Sequence, residues 1–421
     1  MNRNRVNKKR MGRARVLSRA AAGMLAAALC FQPMTALAGP AGDSSLTSSS
    51  SNAGPGGGSG SSNSGSTGSS GGSTSVSNGS VSAVTSGLGV YRVTENEGIG
   101  AIARGVDVSY WQQNVNWSQV ASDNVQFAML ATRFRGNVDP FFAMNAANAS
   151  QAGLRLGAYI YSYATSVEMA QQEADFVLNL IKDYPISFPV VFDAEDANTL
   201  GTLTQSQVSD VINAFCKRIQ DAGYYPMVYA NEYWIANKID MSKISYDIWV
   251  AKYQQKYTYS KTSMWQASNT GSVKGVNGNV DIDYLYKDYT QIIPGNTWRT
   301  IAGNRYYYQN HVMQKAAWIN DGQNWYYMNA AGNPSTGWLE LSGKKYYLEA
   351  DGHMITGWKT LDGGWRYFDA SGEQATGWRA VDGSWYFMAD NGLMQTGWLE
   401  LDGKRYYFDE SGWRRAERNI I

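Results

Sequence analysis

A tryptophan that recurs every 20 residues constrains the last third of this chain more than any other feature of its sequence. The recurring residues are Trp298, Trp318, Trp338, Trp358, Trp378 and Trp398. Each is followed by a second aromatic cluster and then by a Gly-containing turn, as at Asp351-Gly352. Self-similarity at a fixed period indicates a repeat array. The sequence therefore predicts six short hairpins over residues 291–421, stacked into an all-β solenoid that buries some rings and leaves others lining grooves.

Residues 101–290 alternate short apolar runs, typical of strands, with runs that have helical periodicity. The predicted strands are Gly105–Tyr110, Phe127–Arg133, Leu156–Tyr163, Phe188–Asp193, Pro226–Ala230, Ile248–Tyr253, Met264–Ala267 and Val280–Leu285. The predicted helices are Phe141–Ala152, with Asp139 and Pro140 as its N-cap and first residue, Val167–Ile181 and Thr204–Ala222. The predicted helices lie mainly between the first five predicted strands. This alternation favours a TIM-like (β/α) barrel, and the lack of room for helices between the last strands predicts that the barrel is irregular on that side.

The stretch from Phe188 to Asp196 runs from an apolar strand directly into three carboxylates. Residues i and i+2 of a strand point to the same side, so Asp193 and Glu195 should project together while Ala194 points away. Two adjacent carboxylates can divide their roles, one keeping a proton and one staying ionised, and so act on a glycosidic bond. On this stretch alone, a surface turn that happens to contain acids is about as plausible.

Other polar residues fall where a barrel would place its active site, at the mouth formed by the strand ends. Asp107 lies in the first predicted strand and Asp281 opens the last. Aromatic and amide side chains at further strand ends are candidates to contact sugar: Tyr163, Asn231, Tyr253, Trp265 and Gln266. Each acid alone could equally be a cap or an ion-pair partner, so the argument rests on their joint placement.

Composition excludes several function classes. Residues 1–19 hold eight of the basic residues and no acid, which leaves 28 basic against 35 acidic residues beyond them. That balance does not suit a nucleic-acid binder. Both histidines, His311 and His353, lie downstream of residue 290. A Ser-His-Asp, Cys-His or His-ligated zinc hydrolase therefore lacks its histidine in the predicted barrel.

Residues 1–38 have the form of an export signal. Their basic start precedes an apolar run of twelve residues, Ala20–Phe31, and Ala36-Leu37-Ala38 fits a cleavage site. That run is too short to span a bilayer, so we expect no membrane association after cleavage. An uncleaved anchor is the alternative. Residues 39–100, mostly Ser, Gly and Asn at their start, are predicted to be a flexible linker.

Residues of about 104–290 resemble the glycoside hydrolase family 25 lysozymes, the Chalaropsis-type muramidases. The matching motifs occur in the family's order: GVDVSYWQ, RLGAYIYSYAT, VVFDAED, YYPMVYANEYW, DIWVAKY, SMWQAS and GVNGNVDIDY. The resemblance implies an irregular β/α barrel with Glu195 as the catalytic acid. It also implies that Asp193 assists the N-acetyl group of the sugar, and that Asp107 and Asp281 complete the catalytic set.

The sequence departs from the family pattern at three places around the predicted site. Many relatives have Lys-Ala-Thr-Glu in the second strand, where this chain has Leu130 to Arg133. A histidine is common in the third strand, where this chain has Ile160-Tyr161, and Asp283 stands where Asn is common. These changes bear on substrate preference more than on catalysis.

The 20-residue units resemble cell-wall-binding repeats of the choline-binding type. The resemblance implies that Trp338, Trp358, Trp378 and Trp398 bind a wall ligand, and in choline-binding members rings form a cage for a quaternary ammonium. Similar repeats occur in proteins that bind α-glucans or other wall polymers. A purely structural spacer is a further alternative.

Together these features predict a secreted N-acetylmuramidase, a peptidoglycan hydrolase that is held on the bacterial cell wall by its repeats. Its expected partners are peptidoglycan glycan strands and a wall polymer such as choline-bearing teichoic acid or another glycan. No metal or organic cofactor is implied. A wall-attached binding protein or adhesin with an inactive barrel is the alternative function.

Overall fold

The computed structural model describes residues 83–92, 98–253 and 255–415, all within one compact unit spanning 70–421. The predicted export signal, residues 1–38, and most of the predicted linker lie outside the described residues. Among the described helices, none is long and apolar enough to cross a membrane.

Residues 83–92, which were predicted to be part of the flexible linker, form a β-hairpin. Strands β1 (Ala83–Ser86) and β2 (Gly89–Arg92) pair antiparallel. The backbone N–H and C=O of Arg92 both bond the side-chain amide of Asn124, at 2.9 and 2.8 Å. The Tyr91 ring is fully buried in the main core cluster. The prediction of a flexible linker up to residue 100 was therefore wrong for 83–92, because strand pairing, the hydrogen bonds to Asn124 and the buried Tyr91 ring hold this segment on the barrel.

The predicted barrel is confirmed. The strands of this domain are β3 (Ala103–Val108), β4 (Phe127–Ala131), β5 (Arg133–Phe134), β6 (Asn137–Val138), β7 (Arg155–Tyr161), β8 (Ile186–Asp193), β9 (Pro226–Asn231), β10 (Asp247–Ala251), β11 (Thr262–Gly271) and β12 (Val280–Leu285). Strands β5 and β6 form a separate hairpin, and the other eight close in the order β10-β11-β12-β3-β4-β7-β8-β9. Neighbours are parallel except that β12 runs antiparallel to both β11 and β3.

The helices pack outside the sheet and lie mainly in its first half, as predicted. They are α1 (Trp117–Ser122), α2 (Phe142–Gln151), α3 (Val167–Ile181), α4 (Gln205–Asp221) and α5 (Glu232–Asn237). Short 3₁₀ turns occur at Tyr110–Gln112, Leu200–Thr202, Met241–Lys243 and Tyr289–Gln291. Among described residues no α-helix lies between β10 and β12, so the barrel is irregular on that side.

Side-chain caps explain where the long helices begin. Ser166 caps α3, and Thr204 with Gln207 forms a capping box on α4, which matches the predicted Thr204 start. The predicted cap of α2 was wrong. That helix begins at Phe142, and Asp139 instead accepts hydrogen bonds from the backbone of Phe141 and Tyr110, at 2.8 and 2.7 Å. The buried Asp139 carboxylate thus ties the loop after β6 to the loop after β3.

The six predicted hairpins are present. Their strands are β13 (Thr297–Ile301), β14 (Asn304–Gln309), β15 (Val312–Met313), β16 (Ala317–Asn320), β17 (Trp325–Met328), β18 (Gly337–Leu341), β19 (Lys344–Leu348), β20 (Gly357–Leu361), β21 (Gly364–Phe368), β22 (Gly377–Val381), β23 (Ser384–Met388), β24 (Gly397–Leu401), β25 (Lys404–Phe408) and β26 (Arg414–Arg415). In five of the six hairpins the two turn residues both have positive φ, as at Asp362 (51°) and Gly363 (80°). Such turns match the twist of paired strands, which explains the recurring Asp-Gly.

The first hairpin of the array belongs to the barrel's core. Ile301, Tyr306 and Tyr308 are buried in the same cluster as the barrel side chains. The Tyr308 hydroxyl donates to the carbonyl oxygen of Lys182 at 2.8 Å. The Arg299 guanidinium lies between the rings of Tyr224 and Tyr308, 3.9 and 4.2 Å from their centroids. The first repeat is therefore joined to the barrel by packing as well as by sequence.

Candidate functional site

The barrel topology brings acids from distant parts of the chain to one end of the sheet. Strands β3 and β8 both run toward this end, and they carry Asp107 near and Asp193 at their last residues. Strand β12 runs the other way, so its first residues lie at the same end, and the Cα of Asp281 pairs with that of Asp107. Glu195 follows β8 directly.

A cavity of about 450 Å³ opens at this end of the barrel. All four predicted catalytic residues line it: Asp107, Asp193, Glu195 and Asp281. The volume is within the range of about 300–1,000 Å³ that is typical of small-molecule sites.

The strand alternation predicted for the end of β8 holds. Ala194 is fully buried in the main core cluster, whereas Asp193 and Glu195 both face the cavity. Asp193 is only 5% exposed, and its Oδ1 has no hydrogen-bond partner among the described residues. A buried carboxylate oxygen without a donor is unfavourable, so this atom is available to a ligand that brings one.

The two carboxylates at the end of β8 hold protons more tightly than usual. Burial, followed by the negative charges of Asp281 and Asp196, raises the pKa of Glu195. Burial and the charge of Glu195 raise the pKa of Asp193 as well. Since desolvation and like charges both disfavour ionisation, the site retains protons at a pH where free carboxyls have lost them.

A hydrogen-bond network holds Asp107 in place. Gln266 donates from Nε2 to Asp107 Oδ2 at 2.7 Å, and the hydroxyls of Tyr229 and Tyr253 both donate to Gln266 Oε1, at 2.8 and 2.9 Å. Burial raises the pKa of Asp107, and the charge of Asp281 adds to this, while the bond from Gln266 opposes it. The amide thereby fixes which way the carboxylate points.

The carboxylates on β12 differ in burial. Burial raises the pKa of Asp281 to about 6, and its side chain stays partly exposed to the cavity. Asp283, two residues on, is fully buried and accepts a hydrogen bond from Trp249 Nε1 at 3.0 Å. Asp283 was not predicted as a site residue and stood out in the sequence only as a departure from the family pattern. Its i+2 spacing from Asp281 was the observation that placed it on the same face.

Three of the five predicted sugar contacts line the cavity, namely Tyr163, Tyr253 and Gln266. Asn231 and Trp265 are not among the lining residues. The Asn231 side chain caps α5 by accepting from Trp234 N at 3.0 Å, and the Trp265 indole donates to the carbonyl of Lys252 at 2.8 Å. Both contribute to the local fold, and we do not retain them in the proposed site.

The cavity has lining residues that the sequence reasoning did not select. They are Ser109, Trp111, Ala131, Arg133, Phe134, Arg135, Tyr159, Tyr161, Asp196, Tyr229 and Trp249. The rings of Tyr161 and Tyr163 lie 5.2 Å apart, and the Tyr161 hydroxyl donates to Asp196 Oδ2 at 3.1 Å. Their alternate spacing at the end of β7 is the pattern that predicts a shared face. Among described residues, no group of three or more His, Cys, Asp or Glu is arranged to hold a metal ion.

The predicted wall-binding tryptophans have different surroundings. Trp358 contacts Tyr367 on its own hairpin and Tyr386 on the next, with centroids 5.0 and 4.7 Å away. Trp378 has the equivalent rings Phe387 and Tyr406, at 5.3 and 4.9 Å, but the Arg414 guanidinium also lies 5.6 Å from its centroid.

The other two predicted tryptophans, like Trp378, each lie beside an arginine. Around Trp338, Tyr347 occupies the same-hairpin position, and the Arg366 guanidinium lies 5.1 Å from the Trp338 centroid. Trp398 pairs with Tyr407, and Arg405 lies 4.5 Å from its centroid. Trp318, which was not predicted as a binding residue, has the same two-ring surroundings as Trp358, from Tyr327 and Tyr346.

Comparisons with known proteins agree with this geometry. The model of glycosyl hydrolases family 25 matches residues 106–276. The Escherichia coli O157:H7 protein YegX, itself uncharacterised, is 31% identical over 189 residues, which is 42% of this chain and 68% of YegX. The chain belongs to glycosyl hydrolase family 25. It is therefore a glycoside hydrolase, and its family 25 domain is the barrel.

Other relatives match the same domain or the repeats. Lysozyme M1 of Streptomyces globisporus is 30% identical over 195 residues, covering 42% of this chain and 66% of the lysozyme. Models of a choline-binding repeat match 335–376 and 375–413, and a putative cell wall binding repeat matches 317–333. The solved structure of a pneumococcal cell wall endolysin from phage Cp-1, complexed with choline, is 22% identical with a TM-score of 0.36, covering 75% of this chain and 94% of the endolysin. The chain spans about two thirds of the curated relatives' length.

Proposed function

We propose that the barrel is an N-acetylmuramidase that cuts the β-1,4 bond between N-acetylmuramic acid and N-acetylglucosamine in peptidoglycan. The observation that carries the proposal is the pair Asp193 and Glu195 at a cavity lined by two further carboxylates and several rings. Paired carboxylates act on glycosidic bonds, and rings stack on the apolar faces of sugars.

Glu195 is the proposed general acid. Its raised pKa keeps a proton on the carboxyl, and this proton passes to the leaving glycosidic oxygen as the bond to the anomeric carbon breaks. The bond's electron pair stays on that oxygen, and positive charge develops on the muramic acid ring.

Asp193 is the proposed partner for that charge. Its free Oδ1 can accept from the N–H of the substrate's N-acetyl group, which aligns the acetyl oxygen with the anomeric carbon. When the pair holds one proton and that proton is on Glu195, the ionised Asp193 also stabilises positive charge, because a water-poor site screens it little.

Asp107 and Asp281 have supporting roles in this proposal. Asp281 raises the pKa of Glu195 by its charge, and so extends the pH range over which the acid stays protonated. Asp107, fixed by Gln266, presents an acceptor at the same mouth. Tyr163 and Tyr253 offer rings at the rim for sugar contact.

The array holds the enzyme on the cell wall, and we propose quaternary ammonium groups, such as choline on teichoic acid, as the ligand of its three-ring sites. These sites are Trp318 and Trp358, which each contact two further rings, the arrangement that attracts such a cation. Trp378 is not counted among them, because Arg414 lies over its ring. Several weak sites on one polymer would act through avidity.

Export is the remaining part of the proposal. It rests on the composition of residues 1–38, and sequencing of the mature N-terminus tests it, with Gly39 as the expected first residue.

Glu195→Gln tests the enzymatic role. The variant keeps the shape of the side chain but has no carboxyl proton, so lysis of walls embedded in a gel should fall by about 10²–10⁴-fold. The alternative, a binding protein with an inactive barrel, predicts no clearing zone for either protein. Clearing that is equal for the two proteins would reject Glu195 as the acid.

A further inference from the structure

The tryptophan sites of the array share four positions that recur every 20 residues. In the Trp358 site these positions are Trp358, Tyr367, Tyr386 and Met394. Met394 and the two tyrosines pack in one apolar cluster with Trp358. This site therefore offers rings and a thioether, and no charged group, to whatever lies against Trp358.

The Trp338 site has polar residues at two of those positions. Twenty residues before Tyr386 and Met394 stand Arg366 and Gln374. The guanidinium lies over the Trp338 ring, 5.1 Å from its centroid. A fixed positive charge at the position of the third ring repels a quaternary ammonium, so this site is built against the ligand that suits its neighbours.

Both substituted side chains are buried and both hold an unused donor. Arg366 is 7% and Gln374 8% exposed. Arg366 donates from Nη1 to the Asn391 carbonyl and from Nη2 to Asp362, yet its Nε has no partner among the described residues. Gln374 Nε2 likewise has none among them. Unsatisfied buried donors are rare in native proteins, which points to a ligand that supplies acceptor oxygens.

The two side chains line a cavity of about 480 Å³ beside Trp338. Two carboxylates, Glu340 and Asp362, and two cations, Lys345 and Arg366, give the lining no net charge. Trp338 keeps 40% of its surface exposed, and its Nε1 donates to Asp362 Oδ2 at 3.1 Å, which fixes the ring. An electrically neutral lining with donors, acceptors and a fixed aromatic face favours a neutral ligand rich in hydroxyl groups.

We propose that the Trp338 site binds a neutral sugar unit and takes no quaternary ammonium. The sugar's apolar face would stack on Trp338, and its oxygens would accept from Arg366 Nε and Gln374 Nε2. The array would then bind two chemical groups of the wall, namely quaternary ammonium groups at its three-ring sites and a glycan at Trp338. This inference rests on the proposed wall-anchoring role of the array.

Reciprocal exchange of the two positions tests the proposal. The full chain carrying Glu195→Gln, which prevents cleavage, would be titrated calorimetrically with choline and with maltotriose and cellotriose, which lack the N-acetyl group of the proposed barrel substrate. We expect binding of at least one trisaccharide. Adding Arg366→Tyr and Gln374→Met should weaken that binding at least tenfold and add one choline per chain. The matched control, Tyr386→Arg with Met394→Gln, should remove one choline per chain and leave the trisaccharide affinity at the Trp338 site unchanged.

Gln374→Met alone serves if the double variant does not fold, because Met occurs at this position in the Trp358 site. It should weaken trisaccharide binding by several-fold. Absence of trisaccharide binding at millimolar concentrations, or equal binding in the exchanged chain, would overturn the proposal. So would loss of one choline per chain in Trp338→Ala. Retention of the protein on whole walls is measured in parallel, so a failed anchor is distinguished from a failed sugar site.

Discussion

A buried ion pair beside the cavity allows a stability prediction whose size follows from its geometry. Arg133 Nη1 bonds Glu173 Oε1 at 2.7 Å, with side chains that are 11% and 7% exposed. Glu173 also accepts from Ser162 Oγ at 2.6 Å and from Tyr163 N at 3.0 Å. Glu173 therefore ties α3 to the segment that presents Tyr163 to the cavity.

Arg133→Met removes the cation and keeps a long apolar side chain. Removing one partner of a buried pair costs about 3–5 kcal/mol, because the other charge is left buried. We expect the lower end, about 3 kcal/mol, since Glu173 retains two hydrogen-bond donors. With urea slopes of about 1–3 kcal/mol per molar, the unfolding midpoint should fall by about 1–3 M.

The assay is urea unfolding followed by circular dichroism. The matched control is Lys217→Met, which breaks the exposed Lys217–Asp221 pair, with side chains 70% and 55% exposed, and should cost less than about 1 kcal/mol. If Arg133→Met shifted the midpoint no more than Lys217→Met, the reasoning from burial would be refuted.

Three further predictions concern catalysis and the array. Activity should fall as pH rises through the raised pKa of Glu195. Asp281→Asn should move that fall to lower pH, because it removes a negative charge that raises this pKa. The remote control Asp210→Asn should leave the pH profile unmoved, and an unmoved profile in Asp281→Asn would contradict the assignment. Removal of residues 317–421 should preserve activity on soluble wall fragments and reduce it on intact walls. Removal of residues 291–421 should also destabilise the barrel, because Ile301 and Tyr308 lie in its core. Unchanged wall binding after removal of residues 317–421 would reject the anchor. Trp358→Ala should weaken wall retention more than Trp398→Ala does, since Trp398 already lies under Arg405, and equal losses in a sedimentation assay would contradict this ranking.

The sequence predicted the elements whose pattern is repeated or long. All eight barrel strands were located, because each contains a short run in which apolar residues are continuous or alternate with polar ones, and helix α3 was predicted with its observed bounds. The acids at the mouth were found because strand alternation relates Asp193 to Glu195, and because Asp107 and Asp281 lie in the first and last predicted strands. The period of the tryptophans likewise predicted the hairpins.

What the sequence did not predict depends on tertiary contacts. Helices α1 and α5 have six residues each, too few for periodicity to appear. Trp265 and Asn231 stand at strand ends like true lining residues, and only their hydrogen bonds to Lys252 and Trp234 show that they are used within the fold. The packing of the first hairpin on the barrel could not be seen in a repeat that looks like the others.

Analysis of the reaction products tests the central claim most directly. Purified peptidoglycan would be digested by the full chain, and the released fragments would be reduced with borohydride and examined by mass spectrometry. The proposed role of Glu195 and Asp193 predicts fragments whose new reducing ends are N-acetylmuramic acid, absent from the Glu195→Gln digest. New reducing ends on N-acetylglucosamine, or fragments cut only in the peptide stems, would contradict the account.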